Sequence, residues 1–86
     1  MKLLCLDVGT VRIGVAKADT ATRIAVPETT ILVDRSEWAE LRKLVRRYQT
    51  KCFVIGMPRN NHGQETKQSE YVREFARVLK RDIPGA

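Results

Sequence analysis

The chain has 86 residues, which is enough for one small domain with a single hydrophobic core. Its contents of 43% hydrophobic and 30% charged residues are typical of a folded globular protein and argue against intrinsic disorder. No apolar run approaches the ~20 residues of a membrane span and no signal peptide opens the chain, so we expect a cytoplasmic location. The net charge of +6 favours nucleic acid as a partner, although a basic surface that serves only solubility is the alternative.

Three strands are predicted in the first 33 residues. The segment "KLLCLDV" (2–8) is an apolar run, and we expect it to be a strand buried on both faces. "RIGVAKAD" (12–19) alternates larger and smaller side chains and follows after a short turn, which predicts an antiparallel hairpin. "IAVPETTILV" (24–33) is a third strand, and Pro27 favours a position at the edge of the sheet.

The second half of the chain predicts a helix, a strand and another helix. "SEWAELRKLVRRYQ" (36–49) has apolar residues at helical spacing, and Asp34 or Ser36 is expected to cap its first turn. "CFVIGM" (52–57) is typical of a buried parallel strand, and a polar loop follows it at 58–65. Thr66 is predicted to cap the second helix. The chain therefore predicts an α/β fold whose mixed sheet has a three-stranded antiparallel meander plus one parallel strand, with two helices.

Cys5 and Cys52 each lie inside an apolar run. In a cytosolic protein, two such cysteines are usually reduced core residues. The sequence has no CxxC motif, and a single histidine with two distant cysteines does not make a zinc site. We therefore interpret both cysteines as structural.

Asp7 is the unusual residue of the first strand, because a carboxylate ends an otherwise apolar run. One interpretation is that Asp7 caps the following turn by accepting hydrogen bonds from backbone N–H groups. The other is that it holds a divalent cation beside a bound phosphate, since Mg²⁺ prefers carboxylate oxygens. Gly9 would let the backbone approach a ligand closely, and Thr10 offers a hydroxyl. Because ligands gather at the carboxyl ends of parallel strands, Asp7, Gly9 and the 58–65 loop are expected to face one cleft.

Three motifs together carry a family resemblance. "LDVGTVRIGVAKAD", then "VPETTI", then "VIGMPRNNHGQE" resemble the YqgF/RuvX family of Holliday junction resolvases and pre-16S rRNA nucleases. The resemblance implies a ribonuclease H-like fold, with residues 1–86 as one domain that matches the amino-terminal part of the family and lacks its carboxy-terminal strand and helix. It also implies nucleic acid as substrate and a divalent metal, Mg²⁺ or Mn²⁺, as cofactor.

The resemblance also implies roles for individual residues. Asp7 matches the family's first catalytic carboxylate, which is a metal ligand. To Gly9 and Thr10, which are substrate-binding candidates from their own chemistry, the resemblance adds Arg12, Asn60, Gly63 and Glu65. Arg12 would contact a phosphate, and the alternative is that it only solvates the hairpin. Two positions depart from the family pattern: Val11 replaces a basic residue, and His62 replaces the acid of the loop.

The resemblance places the remaining carboxylates of the metal site beyond Ala86. One aspartate cannot hold the pair of metal ions that such hydrolysis uses. Within the chain, Glu65 is the best-placed candidate for a second carboxylate.

The sequence is compatible with three functions: a metal-dependent nuclease, a non-catalytic nucleic-acid-binding or dimerisation module, and a fragment of an actin-like ATPase. The ATPase is disfavoured, because that fold needs two such domains.

A further expectation concerns self-association. If "CFVIGM" (52–57) lies at the edge of the sheet, its unpaired backbone groups are a template for another strand. We therefore expect the chain to form a homodimer through this edge, to swap strands or to aggregate.

For the binding module, the basic residues of the two helices could contact phosphates, although a solvated helix face is the commoner explanation of such runs. These are Arg42, Lys43, Arg46 and Arg47 in the first helix and Lys67, Arg73, Arg77, Lys80 and Arg81 in the second.

Overall fold

The computed structural model describes residues 1–58, 60–83 and 85–86. Every predicted helix and strand is present, in the predicted order. The elements are β1 (Lys2–Val8), β2 (Arg12–Asp19), β3 (Ile24–Leu32), α1 (Glu37–Tyr48), β4 (Phe53–Ile55) and α2 (Lys67–Asp82). The largest difference is in β4, which is a three-residue strand rather than the whole of 52–57.

The four strands form one mixed sheet in the order β3-β2-β1-β4. β1 pairs antiparallel with β2, and β2 pairs antiparallel with β3, so the predicted meander is confirmed. β4 pairs parallel with β1, with Leu6 opposite Ile55 at the carboxyl end of the pairing. Pro27 lies in the edge strand β3, where its missing N–H breaks no internal pairing.

The hydrophobic core lies on one face of the sheet. In β1 the buried residues are Leu4, Leu6 and Val8, and they form a single cluster with residues of both helices such as Leu41 and Phe75. Since both helices contribute to that one cluster, the opposite face of the sheet is left without a described helix. Leucine and valine in β1 therefore do not indicate burial on both sides.

Three sequence-based expectations about burial are wrong for this reason. β1 is buried on one face only: Leu3 and Cys5 are half-buried and Asp7 is exposed. β4 is not a buried strand, because Val54 is 50% exposed. The cysteines are free but not core residues, since Cys52, like Cys5, is only half-buried.

The two helices begin differently. Thr66 caps α2 as predicted, within a capping box in which its side chain accepts from the backbone of Ser69 and the Ser69 hydroxyl accepts from the backbone of Thr66. Ser36 occupies the cap position of α1 but makes no capping hydrogen bond. Its hydroxyl donates instead to Asp34, whose carboxylate also accepts from the Ser36 N–H, so neither residue caps the first turn as predicted. No helix in the described part of the chain is long and apolar enough to cross a membrane.

A β-bulge interrupts the pairing of β2 with β3. Val15 lies opposite Thr29 and Ala16 lies opposite Pro27, so Glu28 is an extra residue in β3. The side chain of Glu28 is only 16% exposed and lies 3.9 Å from the Nζ of Lys17. The bulge therefore places a carboxylate against the carboxyl end of α1, where it also contacts Arg47 and Tyr48.

Candidate active site

Asp7 lies at the carboxyl end of β1 with its side chain exposed. Its neighbour in β2 is Gly14, which has no side chain to fill the space beside the carboxylate. A Cβ atom added at Gly14 would lie 3.6 Å from the Cβ of Asp7. Among the described residues, the carboxylate of Asp7 has neither an ion pair nor a hydrogen bond. It is therefore available to a ligand from outside this part of the chain.

Asp7 lines a cleft of about 280 Å³ between the end of the parallel strand pair and the start of α2. The parallel pairing extends past β4 through a hydrogen bond of 3.3 Å from the Gly56 N–H to the Leu6 carbonyl. From the other side, Gln68 Nε2 donates a hydrogen bond of 3.2 Å to the carbonyl of Val8. The residues that line the cleft are Asp7, Val8, Gly56, Met57, Pro58 and Gln68.

The expected common cleft is confirmed in part. Asp7 and Pro58, the first residue of the predicted 58–65 loop, do face it together. Gly9 does not line this cleft, and its role in binding substrate stays a prediction. The β1–β2 turn closes on itself, because the Gly9 N–H donates to the Arg12 carbonyl at 2.9 Å.

The turn geometry also separates the two interpretations of Asp7. The Gly9 N–H, one of the donors that a turn-capping carboxylate would use, bonds the backbone of Arg12 instead. A Cβ at Gly9 would lie only 2.8 Å from the Arg12 carbonyl oxygen, so glycine is required by this close approach. Thr10 and Arg12 are both exposed at the tip of the hairpin. The turn-capping interpretation is therefore wrong, and the ligand-binding one stays a prediction.

Asn60 organises the loop that follows the cleft. Its Oδ1 accepts hydrogen bonds from the backbone of His62 at 2.9 Å and of Gln64 at 3.0 Å. Its own backbone carbonyl accepts from Gly63 at 3.0 Å, and Gly63 adopts a positive φ of 74° that favours glycine. The side chain of Asn60 thus shapes the loop, and its role in contacting substrate stays a prediction.

Glu65 faces α2 rather than the cleft. Its carboxylate pairs with the guanidinium of Arg73, whose Nε lies 2.9 Å from Glu65 Oε1. The hydrogen bond that Arg73 donates to Glu65 raises the pKa of the Arg73 guanidinium. No group of three or more histidine, cysteine, aspartate or glutamate residues in described positions could hold a metal ion. Glu65 is paired with Arg73 and does not line the Asp7 cleft, so it is not placed there as a second carboxylate.

The basic helix residues divide into two groups. Five are engaged by acids of the chain: Arg42 pairs with Asp82, Lys43 with Glu40, Arg47 with Glu28, Arg73 with Glu65 and Arg77 with Glu74. Within the residues that the structure describes, Arg46, Lys67, Lys80 and Arg81 are exposed and have no ion pair within 4.0 Å. Lys67 is the member of this second group that is next to a cleft residue, Gln68.

Two residues with structural roles were not predicted from the sequence: Gln68, which borders the Asp7 cleft, and Glu28, which lies at the bulge of β3. The role of Gln68 depends on how α2 docks against β1, and nothing in the local sequence indicates it. Glu28 did carry a signal, because an acid directly after a proline inside an apolar strand is unusual unless the strand is irregular.

Comparison with known proteins gives one family and a consistent set of relatives. A family model described as "RuvX: Holliday junction resolvase" matches residues 1–85. A protein of Sulfurihydrogenibium sp. (strain YO3AOP1) named "Putative pre-16S rRNA nuclease" is 37% identical over 83 residues, which cover 96% of this chain and 57% of the relative. A protein of the same name from Moorella thermoacetica is 42% identical over 85 residues, covering 96% of this chain and 61% of the relative. The chain thus spans about three fifths of the length of these two relatives.

Proposed function

The chain belongs to the RuvX family of Holliday junction resolvases, and we propose that it forms the part of a cytoplasmic, divalent-metal-dependent nuclease that carries Asp7. Its mixed sheet and two helices are those of the ribonuclease H-like fold of this family. The substrate would be a structured nucleic acid, either a precursor of 16S rRNA or a branched DNA. The observation that carries the proposal is the exposed Asp7 carboxylate, which lines a cleft and has no partner among the described residues.

Asp7 fits a magnesium or manganese ion as one ligand. Mg²⁺ is commonly bound through one or two carboxylates, while waters and substrate phosphates complete its coordination. The space beside Gly14 leaves room for such waters and phosphates. The metal would activate water and stabilise the leaving oxygen of the phosphodiester. Since Glu65 is held by Arg73, the described residues supply one carboxylate to this site and not the full set.

We assign a substrate-binding role to the β1–β2 hairpin because its tip is exposed and can reach a bound strand. Thr10 lies in the turn between β1 and β2, and Arg12 begins β2 two residues before Gly14, the partner of Asp7. A guanidinium there would pair with a phosphate of the strand that enters the cleft. Asn60 and Gly63 would act by holding the loop beside the cleft, and Glu65 by fixing that loop to α2.

The second candidate is a non-catalytic module that binds nucleic acid. It is favoured by the single carboxylate at the cleft together with the exposed cations Arg46, Lys67, Lys80 and Arg81. Such a module would bind with a steep dependence on salt, because each neutralised phosphate releases counterions. Binding of that kind without cleavage distinguishes it from the nuclease.

The test is cleavage of a labelled pre-16S rRNA and a labelled four-way DNA junction in Mn²⁺, comparing the wild-type chain with D7N. The matched control is D19N, since Asp19 lies at the opposite end of the β1–β2 pairing, across from Lys2. Cleavage that D7N abolishes and D19N retains would support the nuclease. Binding without cleavage by the wild-type chain and both variants would instead support the module.

We also propose that the chain forms a homodimer through the strand edge at 52–57. The two edges of the sheet differ: β3 carries Pro27 and the bulge at Glu28, which discourage strand pairing, whereas β4 carries neither. Val54, half-exposed in the middle of β4, would be covered in the dimer. Sedimentation should show concentration-dependent association that V54K weakens and V26K, in the protected edge, does not. A monodisperse monomer at high protein concentration would contradict this proposal.

A further inference from the structure

A pocket between α1 and α2 has aromatic walls and lies away from the Asp7 cleft. Its volume is about 210 Å³, below the ~300–1,000 Å³ of typical small-molecule sites and suited to a single side chain. Trp38, Tyr71 and Phe75 line it, and the rings of Trp38 and Phe75 stack with centroids 4.9 Å apart. Tyr71 is 37% exposed, so this wall of the pocket is open to a partner.

A carboxylate oxygen in this pocket has no hydrogen-bond donor. The Oε2 atom of Glu37 is buried, and none of the described residues donates to it. A buried acceptor without a partner is costly, and the cost is greater when the group is charged. Because Glu37 also lines the pocket, a donor that enters it and turns this carboxylate towards itself would gain a strong hydrogen bond.

The other acid of the pocket is already neutralised. Arg77 donates from Nε to Glu74 Oε2 at 3.0 Å and also from its terminal nitrogen to Oε1. The hydrogen bonds from Arg77 lower the pKa of Glu74, which is the expected effect of a stable ion pair. Glu37, in contrast, has no ion pair with any residue that the structure describes.

We propose that this pocket binds the arginine side chain of a partner protein. A planar guanidinium stacks on aromatic faces and donates to a carboxylate, and this pocket is lined by both kinds of group, Trp38 and Tyr71 on one hand and Glu37 on the other. A lysine ammonium would meet the carboxylate as a point charge but would not use the flat walls as well. A phosphate of a nucleic acid would be repelled by Glu37. Tryptophan, tyrosine and arginine are also the residues that most often dominate binding energy at protein interfaces.

The test uses Trp38 as the reporter, since it is the sole tryptophan of the chain. Titration with Nα-acetyl-arginine amide should change its fluorescence saturably, while the uncharged analogue Nα-acetyl-citrulline amide should not. E37Q should raise the dissociation constant at least about tenfold, because it removes the charge and keeps the shape. E40Q is the matched control on the same helix, where Glu40 is exposed and pairs with Lys43. It should leave the dissociation constant unchanged.

Two results would overturn the proposal: the absence of any saturable response in the wild-type chain, or an equal response in E37Q. A second variant, Y71S, removes one wall at a position exposed enough to tolerate the change, and it should also weaken binding. Urea denaturation of each variant verifies that it is folded. Because neither Asp7 nor nucleic acid enters this experiment, its outcome is independent of the proposed nuclease function.

Discussion

Gln68 Nε2 donates a hydrogen bond to the carbonyl oxygen of Val8, and this contact joins residues 60 positions apart in the chain. Val8 follows Asp7 directly, and Gln68 lies in the first turn of α2. The bond therefore links the strand that carries the candidate metal ligand to the helix that forms the other side of the cleft.

Removing this hydrogen bond should weaken the attachment of α2 to β1 beside the cleft. In Q68A the Val8 carbonyl loses its side-chain donor, and we expect the free energy of unfolding to fall by about 1 kcal/mol. Urea denaturation measures the change. K67A is the control, because Lys67 is the exposed neighbour in the same turn. Equal denaturation midpoints for the two variants would show that the Gln68 contact contributes nothing.

The two glycines at the cleft end of the sheet should differ in how much stability they lose on substitution by alanine. In G9A the new methyl group would meet the Arg12 carbonyl at 2.8 Å, and we expect a loss of about 1–3 kcal/mol in the free energy of unfolding. In G56A nothing lies within 4 Å of the added Cβ, so the loss should be small. Thermal or urea unfolding compares them directly. A G9A variant as stable as G56A would mean that the hairpin turn relaxes freely.

The helix caps predict a contrast between two hydroxyl deletions. T66A removes the side chain that accepts from the Ser69 N–H, and it should cost about 1 kcal/mol. S36A should cost clearly less, because the Ser36 hydroxyl makes no cap and bonds only Asp34. Both values come from denaturant unfolding of the purified variants. The assignment of the caps would be contradicted if S36A were the more damaging change.

Tyr48 should titrate at higher pH than an ordinary tyrosine. A hydrogen bond with Glu28 raises the pKa of the Tyr48 hydroxyl above its usual value of 10.0, and burial adds to the effect. Since the folded state then holds this proton more tightly than the unfolded state, the associated stability is present below pH 10 and is lost as the pH rises through the folded pKa. Absorbance at 295 nm in a Y71F background follows Tyr48 alone, because the chain has two tyrosines.

The variant that tests the cause is E28A, which removes the hydrogen-bond acceptor. It should bring the Tyr48 titration back towards 10.0, and E40A, at an exposed acid of α1, should not. A Tyr48 pKa that is unchanged in E28A would assign the shift to burial alone.

The order of elements could be predicted because each has a strong local signal. The alternation from Ile13 to Lys17 and the helical spacing from Trp38 to Tyr48 do not depend on the rest of the fold. The exposed face of the sheet could not be predicted in the same way. Leu3, Cys5 and Val54 are apolar, and only the packing of both helices on the opposite face leaves them partly open.

For the candidate site too, some features could be predicted from the sequence and others could not. Asp7 stands out because a carboxylate interrupts an apolar strand, and parallel pairing explains why residues 56–58 meet it. The contacts that the side chains of Glu65 and Gln68 make could not be predicted, because both depend on where α2 lies in three dimensions. Glu65 was placed on the cleft side by its position in the loop, whereas the structure pairs it with Arg73.

The bulge at Glu28 has a consequence for sequence alignments. Because Glu28 is the extra residue between Pro27 and Thr29, its deletion would leave the partners of Val15 and Ala16 unchanged. A one-residue gap elsewhere in these strands would exchange the buried and exposed faces from that point on. Homologues that differ in length by one residue in this strand can therefore carry the gap at position 28, at the cost of the carboxylate that contacts Tyr48.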